Sequence, residues 1–330
     1  MVDFALRYDM RQPAFCSASK AEMYTAAIEQ CAWAENNGFS TVHLSEHHGS
    51  EDNYCPSPLL LATAIAARTE RLVLMLSALI APLHHPIKLA EDLSVLDIIS
   101  KGRLIPILSA GYRAEEFRAF GRNLRDRKQY MDDIVPLLNS AWSGKPFDHD
   151  GESITVTPTP HSEPRPMLFM GGSSRPAARR AAKHADFFVP SGPEIFEMYR
   201  EELIKLGKND PGPMPDAAAS VFFVAENKDE YWEKIAPHLQ HETNIYASWA
   251  KQAEVFTPYK HFDNTDDLRA SESYRLYTPN ELVDFCRNNS KTHLLTHPMC
   301  GGISPDIAWQ SLQVFSANVL PALREENLVA

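Results

Sequence analysis

Nothing in this 330-residue chain approaches the roughly 18 to 20 uninterrupted apolar residues of a membrane span, so no spanning helix is expected. The start, Met1 to Tyr8, has no basic stretch followed by an apolar one, so no export signal is expected either. Cysteine is scarce and scattered. Cys16, Cys31, Cys55, Cys286 and Cys300 are odd in number and include no CxxC pair, which fits reduced thiols in a cytosol better than a disulfide framework. Positive charge is in deficit: 32 Lys and Arg against 43 Asp and Glu leave a net charge of −11, which speaks against a nucleic-acid backbone as partner. There is no internal repeat and no low-complexity tail. The expectation is a soluble, cytoplasmic protein whose 44% apolar content is ample for a core.

What is present is an alternation of short apolar strands and helices, with polar clusters at the junctions. Thr41-Val-His-Leu-Ser-Glu-His-His48 reads as a strand that runs into a carboxylate and two imidazoles. Leu72 to Ile80 is a nearly continuous apolar run, as expected for a parallel strand buried on both faces, and leads into Pro82-Leu-His-His-Pro86. Arg103 to Ser109 ends in Ala110-Gly-Tyr-Arg113, and Met167 to Met170 ends in Gly171-Gly-Ser-Ser174. Val2 to Tyr8, Asp186 to Pro190, Ala218 to Ala225 and His293 to Thr296 complete eight strands. Helices are predicted between them: Ser19 to Asn36, Leu59 to Arg68, Pro86 to Ile99, Ala114 to Ser143 with a break near Gly121, Pro176 to His184, Glu194 to Leu206, Lys228 to His238, Pro279 to Asn288 and Pro305 to Leu323.

Two segments stand outside this rhythm. Residues 144–166 read as a β-hairpin insertion followed by a proline-punctuated connector. Residues 241–277 are polar and aromatic without a clear period and read as an insertion or lid, whose Trp249, Phe256, Tyr259, Phe262 and Tyr274 either line a pocket or simply pack over the barrel. Eight strands alternating with helices predict one (β/α)₈ barrel over residues 1–330. A doubly wound sheet would place GxGxxG after the first strand, whereas this strand ends in Asp9-Met-Arg-Gln-Pro13.

In a parallel α/β protein the carboxyl ends of the strands hold the chemistry, so the junction clusters are the candidate site. Glu46, His47 and His48 are the catalytic candidates. Adjacent residues of a strand point to opposite faces, so the two imidazoles do not read as a metal pair, and no metal is expected. Either one histidine is packed while the other faces the loops, or one imidazole is aimed into the barrel mouth as a proton donor or acceptor, oriented by Glu46 or another group. His84 and His85 shape the rim. Ser109, Ala110 and Gly111 are small enough for a flat ligand to approach the backbone, and Tyr112 or Arg113 touches it or covers the rim. Gly171, Gly172, Ser173 and Ser174 form a tight strand-to-helix turn that offers hydroxyls and N–H groups at a helix N-terminus, the place for a phosphate. Apolar walls from Leu79, Ile80, Leu83 and Met170 and a closing segment at His297 to Gly302 are predicted around it.

Taken in order, Gly38 to His48, His85 to Arg103 and Gly111 to Gly121 resemble the bacterial luciferase-like family of flavin-dependent oxidoreductases. The resemblance covers most of the chain, strongest from residue 1 to about 192 and again near Gly301 to Arg324. It implies a (β/α)₈ barrel with insertions that binds FMN or the deazaflavin coenzyme at its mouth, often as a homodimer. It further implies that His47 acts near the flavin in the oxygen chemistry. Ser77-Ala78 would form a non-proline cis peptide beneath the isoalloxazine, with Ser109 to Gly111 beside it and Gly172, Ser173 and Ser174 on the phosphate. Luciferase carries a reactive cysteine at the position of Ser109 and a phosphate-holding arginine at that of Ala110, and both departures speak against light emission. The activity implied is a two-component monooxygenase that takes reduced FMN from a separate flavin reductase and oxidises a small organic molecule. A deazaflavin-dependent dehydrogenase or reductase, a catalytically silent flavin-binding subunit and a metal-dependent hydrolase are the alternatives.

Overall fold

The computed structural model describes residues 1–214 and 221–329. The chain opens with β1 (Asp3–Tyr8), α1 (Lys20–Ala34), β2 (Phe39–Leu44), α2 (Pro58–Ala66), β3 (Val73–Ile80), α3 (Pro86–Ser100) and β4 (Leu104–Ser109). Next come α4 (Ala114–Ala119), α5 (Arg127–Ala141), the hairpin strands β5 (Phe147–His149) and β6 (Glu152–Ile154), β7 (Phe169–Gly172), α6 (Arg175–His184), β8 (Phe187–Pro190) and α7 (Pro193–Lys205). The last part holds β9 (Val221–Val224), α8 (Lys228–Ala253), α9 (Thr265–Ala270), β10 (Tyr274–Tyr277), α10 (Pro279–Asn288), β11 (His293–Thr296), α11 (Pro305–Val314) and α12 (Leu320–Glu325).

The local chemistry explains where these elements start. Ser19 caps α1 by accepting from the Glu22 N–H, and Glu22 returns a bond to the Ser19 N–H, a full capping box. Thr278 and Glu281 do the same for α10. Pro86 occupies the first turn of α3, where its missing N–H costs nothing. The break expected near Gly121 separates α4 from α5, and Asp150-Gly151 turns the antiparallel β5–β6 hairpin.

The strands form one parallel sheet in the order β10-β9-β11-β1-β2-β3-β4-β7-β8, flanked by the helices as an α/β barrel. Near the start of β1, Phe4 packs the sheet against the helix layer, with ring centroids 6.0 Å from Phe39, 5.8 Å from Phe222 and 4.9 Å from Phe315. Burying such a ring contributes about 1.5–3 kcal/mol. Since all nine strands of this sheet are parallel, their carboxyl ends open at one mouth.

Two expectations need correction. The sheet has nine described strands rather than eight, because Tyr274–Tyr277, read as part of an insertion, is β10 and pairs with β9. Of the strand expected at Ala218 to Ala225, residues 218–220 lie outside the described residues. The segment 241–277 is also not irregular at its start: the helix expected to end at His238 continues through Pro237 to Ala253. Its buried positions Tyr231, Ile235, Leu239, Glu242, Tyr246 and Trp249 keep helical spacing. One of them is a buried carboxylate, which hid the period from a reading based on apolar residues. Among the described residues no helix is long and apolar enough to cross a membrane, and all five cysteines are free.

Candidate active site

A cavity of about 400 Å³ opens at the carboxyl ends of the strands. It gathers eight of the predicted site residues: His47, Ser109, Ala110, Gly111, Gly171, Gly172, Ser173 and Ser174. Glu46, His48, Ser77 and Ala78 are not in its lining. The Ser77–Ala78 peptide is cis, as the resemblance implied.

At one end lies the amino terminus of α6. Its N-cap, Ser174, makes no side-chain cap bond, so the N–H groups of Arg175 and Ala177 on either side of Pro176, which has none, lack a side-chain acceptor, and Ser173 and Ser174 are exposed beside them. Such a terminus favours negative charge. Gly172 is required by packing: a Cβ there would lie 2.5 Å from the Ala177 Cβ, so glycine lets α6 sit tight on β7. Gly111 (φ +65°) is similar, since a Cβ would meet Ile80 at 2.7 Å and Phe117 at 3.0 Å. Close approach at both is therefore protein against protein.

The arginines of α6 divide in function. Arg175 and Arg179 pair with Glu201 and Glu202 of α7, while Arg180 lines the cavity and pairs with Asp132 at 2.6 Å. Arg127 and Lys128, at the start of α5, also line the cavity and make no ion pair among the described residues. Sequence reasoning passed over them as ordinary helix residues. Two cations opening a helix that has no acid in its first turn oppose the helix dipole, and that was the available signal.

At the other end His47 is held by Glu116, with Nδ1 2.8 Å from Oε1. The same carboxylate oxygen accepts from the His48 N–H at 3.0 Å and from Arg113 Nη1 at 3.2 Å. A carboxylate only accepts, so the proton lies on Nδ1, and Nε2 keeps its lone pair with no partner among the described residues. Burial lowers the His47 pKa; Glu116 opposes this, while Arg11 and Arg113 add to it. The imidazole is thus neutral near pH 7. Its ring is fixed by Tyr54 and Trp249, each at a centroid distance of 4.9 Å. Glu116 was missed although it stands in the quoted Gly111 to Gly121 motif. Its pairing with His47 spans 69 positions, which spacing cannot reveal.

Glu46 does not orient His47. Its Oε1 is bonded to His48 Nε2 (2.9 Å) and His84 Nε2 (2.8 Å), and Oε2 accepts from the Ile80 N–H (2.6 Å). Burial alone would raise its pKa, but these bonds hold it at about 2, and Glu46 in turn raises that of His84. Glu46 ties the ends of β2 and β3 together. Of Tyr112 and Arg113, Tyr112 lines the cavity, while Arg113 lies 4.0 Å from the Trp249 ring centroid and donates to the His48 carbonyl.

Other expectations about the walls are revised. Of Leu79, Ile80, Leu83 and Met170 only Met170 lines the cavity, and Ile80 and Leu83 instead pack on Phe117. The apolar side is completed by Met131, Ala177, Ala250, Val255 and Phe256. None of residues 144–166 reaches it, and neither does His297 to Gly302, which packs on α8.

Below the mouth lies a buried charge network that the sequence did not announce. Arg11, with no exposed surface, pairs with Asp9 and Asp52 and lies within 4.7 Å of the ring centroids of Tyr54, Tyr246 and Trp249. His297 has Nε2 3.5 Å from Asp9 and Nδ1 3.4 Å from Glu242. Burial works against its charge, but an imidazole between two carboxylates is favoured with both nitrogens protonated, and its pKa is raised. Glu242, His297 and Cys300 are close enough to suggest a metal cluster. However, Tyr274 (2.6 Å) and Cys300 (2.8 Å) donate to Oε2 of Glu242, and Arg7 lies 3.4 Å from its Oε1. These donors satisfy Oε2, whereas Oε1 has no hydrogen-bond partner among the described residues and is compensated only by the nearby charges of Arg7 and His297.

Fold and geometry together bring an uncapped helix terminus and a buried imidazole–carboxylate pair into one cavity at the mouth of an α/β barrel. Residues 10–281 match the family described as luciferase-like monooxygenase, and the chain belongs to that family. It is 27% identical over 342 residues to an alkanal monooxygenase alpha chain of Photorhabdus luminescens, covering 94% of each chain. It is 30% identical over 181 residues to the oxygenase component of a flavin-dependent trigonelline monooxygenase of Acinetobacter baylyi, covering 53% of this chain. The chain spans about half the length of the first curated relatives it matches. The crystal structure of monooxygenase RslO1 from Streptomyces bottropensis shares the fold, with a TM-score of 0.73 at 21% identity, over 97% of this chain and 99% of that one. Relatives named as FMNH₂-dependent and as F420-dependent both occur.

Proposed function

We propose that this chain is the oxygenase of a two-component system that uses reduced FMN and oxygen on a small organic substrate. The observation that carries this reading is one cavity with an uncapped helix terminus at one end and, at the other, a buried neutral His47 imidazole held by the Glu116 carboxylate. The donor set fits a flavin phosphate. Gly172, Ser173, Ser174 and the first N–H groups of α6 would hold it, with Arg127 and Lys128 adding charge, and Ser109 to Gly111 would face the ring. Bound reduced flavin would supply the electrons for oxygen activation. Within the protein, His47 Nε2 accepts a proton and returns it, while Glu116 holds the tautomer and stabilises the protonated ring. Tyr54, Trp249 and Met170 keep bulk water from that end.

A flavin reductase is the transient partner in this reading. A homodimer is proposed from exposed Leu60 on α2 and Val95, Ile98 and Ile99 on α3, large apolar side chains on two packed helices. The test is an anaerobic titration with FMN, reduced FMN and the deazaflavin coenzyme, followed by mixing with oxygen. Tight binding of reduced FMN and oxygen-dependent turnover are expected. Binding of the deazaflavin alone would replace this reading with a hydride-transfer enzyme, and binding without turnover would make it a silent subunit.

A further inference from the structure

The turn that follows β1 places a cation among the rings that hold His47. Arg11 has no exposed surface, and its guanidinium carbon lies 4.6 Å from the ring centroid of Tyr54 and 4.7 Å from those of Tyr246 and Trp249. The same three rings pack on the imidazole of His47, at centroid distances of 4.9 Å for Tyr54 and Trp249 and 6.2 Å for Tyr246. They also pack on one another, 5.6 Å apart for Tyr246 and Trp249 and 6.3 Å for Tyr54 with either. One collar of rings, drawn from the loop after β2 and from α8, thus holds both groups.

Arg11 is itself held firmly. Asp9 grips it twice: Oδ1 accepts from the Arg11 N–H at 3.0 Å, and Oδ2 lies 3.2 Å from Nε. The turn between them keeps Met10 at φ +59°, a conformation that few residues with a Cβ adopt. Asp52 accepts from Nη1 and is bonded in turn to His241 Nε2 at 2.9 Å. Nε and Nη2 make no hydrogen bond among the described residues, so two carboxylates and three ring faces balance the cation rather than a full set of hydrogen bonds. A planar, weakly hydrated guanidinium suits aromatic faces, whereas an ion pair alone would be served as well by lysine. The collar is braced elsewhere too. Arg7 Nη2 donates to the Tyr246 hydroxyl at 3.0 Å and Nη1 to that of Tyr259 at 2.7 Å, and Arg113 lies 4.0 Å from the Trp249 ring.

We infer that Arg11 is a positioning residue for His47: it fixes the three-ring collar that keeps the imidazole in place as a proton acceptor. The inference rests on the reading of His47 as the acid–base group of this cavity. Arg11 acts through the rings and also through its charge. The groups that face His47 are Glu116 and Arg113 at α4, Tyr54 after β2, Tyr112 after β4, Tyr246 and Trp249 on α8, and Arg11 after β1. Burial is the largest influence against a charged ring, Glu116 favours one, and Arg11 and Arg113 disfavour it. A ring that is both fixed and neutral can take up a proton. Loss of Arg11 is therefore expected to loosen the imidazole and to let it charge at higher pH.

The test follows His47 by NMR in protein carrying ¹³C at the Cε1 of histidine, with the His47 signal assigned by its loss in His47→Gln. Ring currents from the collar displace that signal from its place in free histidine, so its position reports the rings and its pH midpoint reports the charge. Arg11→Lys keeps the cation and loses the plane. Its His47 signal is expected to move toward that of free histidine while the midpoint stays. Arg11→Met loses both, so the signal should move and the midpoint should rise, while His149 on the β5–β6 hairpin and His184 on α6 keep theirs. A His47 signal that stays in place in both variants overturns the inference, whatever happens to the urea midpoint, since Arg11 would then serve the fold alone. Should Arg11→Met not fold, Arg11→Lys decides, and a wild-type signal there overturns the inference. These readouts need neither flavin nor turnover, so failure of the oxygenase reading would show separately, as absent flavin binding.

Discussion

The two ends of the cavity are built on different principles. The α6 end is made from consecutive residues, Gly171 to Ser174, with exposed hydroxyls and backbone N–H groups. The His47 end is made from side chains far apart in sequence: Glu116 is 69 positions from His47, and Arg7 is 239 and 252 positions from the tyrosines it joins. The first end is local and wet, so changes there are expected to move ligand affinity and leave the fold alone. The second is buried and cooperative, so changes there are expected to affect the reaction or the stability of the barrel.

The sharpest way to break this contrast is at His47. His47→Ala is expected to keep reduced-FMN affinity and to lose about 10²- to 10⁴-fold in turnover, the usual worth of a positioned general base. Full retained turnover would reduce His47 to a packing residue. Glu116→Gln separates position from charge. Glu116 opposes the lowering of the His47 pKa, so without its charge that pKa falls further. Activity requires the neutral ring, so the acid limb of the pH–rate profile lies below the ordinary histidine value and should move to still lower pH in the variant. A limb that stays in place would sever the functional link between the two residues.

Next in size is the buried network. Glu242→Gln leaves Arg7 and His297 without their shared carboxylate, and loss of one partner of a buried pair costs about 3–5 kcal/mol. Burial raises the pKa of Glu242, but Arg7 and His297 hold it well below the ordinary carboxylate value. A depressed carboxylate stabilises fully above its unfolded pKa and loses that contribution as pH falls toward the folded one. The deficit of the variant in urea melts should therefore be complete at pH 7 and shrink below about pH 4.5. A deficit equally large at pH 3 would show that the hydrogen bonds accepted from Tyr274 and Cys300, rather than the charge, hold the group together.

The same contrast explains what could be read from the sequence. The strand ends at His47, Ser109 and Gly171 to Ser174 were legible because a buried strand, a turn and a helix start each leave a local mark. The cis Ser77–Ala78 peptide came through resemblance alone. Glu116 was not legible as a site residue, and Arg127 and Lys128 left only the mark of two cations at a helix start, since their places in the site arise only when α4, α5 and α6 converge on one cavity. The segment 241–277 failed for a related reason. Glu242 holds a core position of α8 because Tyr274 bonds it and Arg7 and His297 balance its charge, and no count of apolar residues registers a charge that is buried in company.

The smallest effects are expected at the wet end, where they sharpen the comparison most. Ser173→Asp sets a carboxylate where a phosphate is proposed to sit and should weaken FMN binding by about tenfold at low salt, comparable to a strong helix-terminus charge effect. Lys128→Ala removes one cation of a solvent-facing rim and should weaken binding only by about two- to fivefold. Both losses should diminish on raising the ionic strength from about 0.01 to 0.5 M, because exposed charges are screened within a few ångströms there. Neither variant should shift the unfolding midpoint in urea, in contrast to Glu242→Gln. Salt-insensitive losses at Lys128 would mean that this end, too, is closed to solvent when occupied, and the division between a wet end and a dry end would fall.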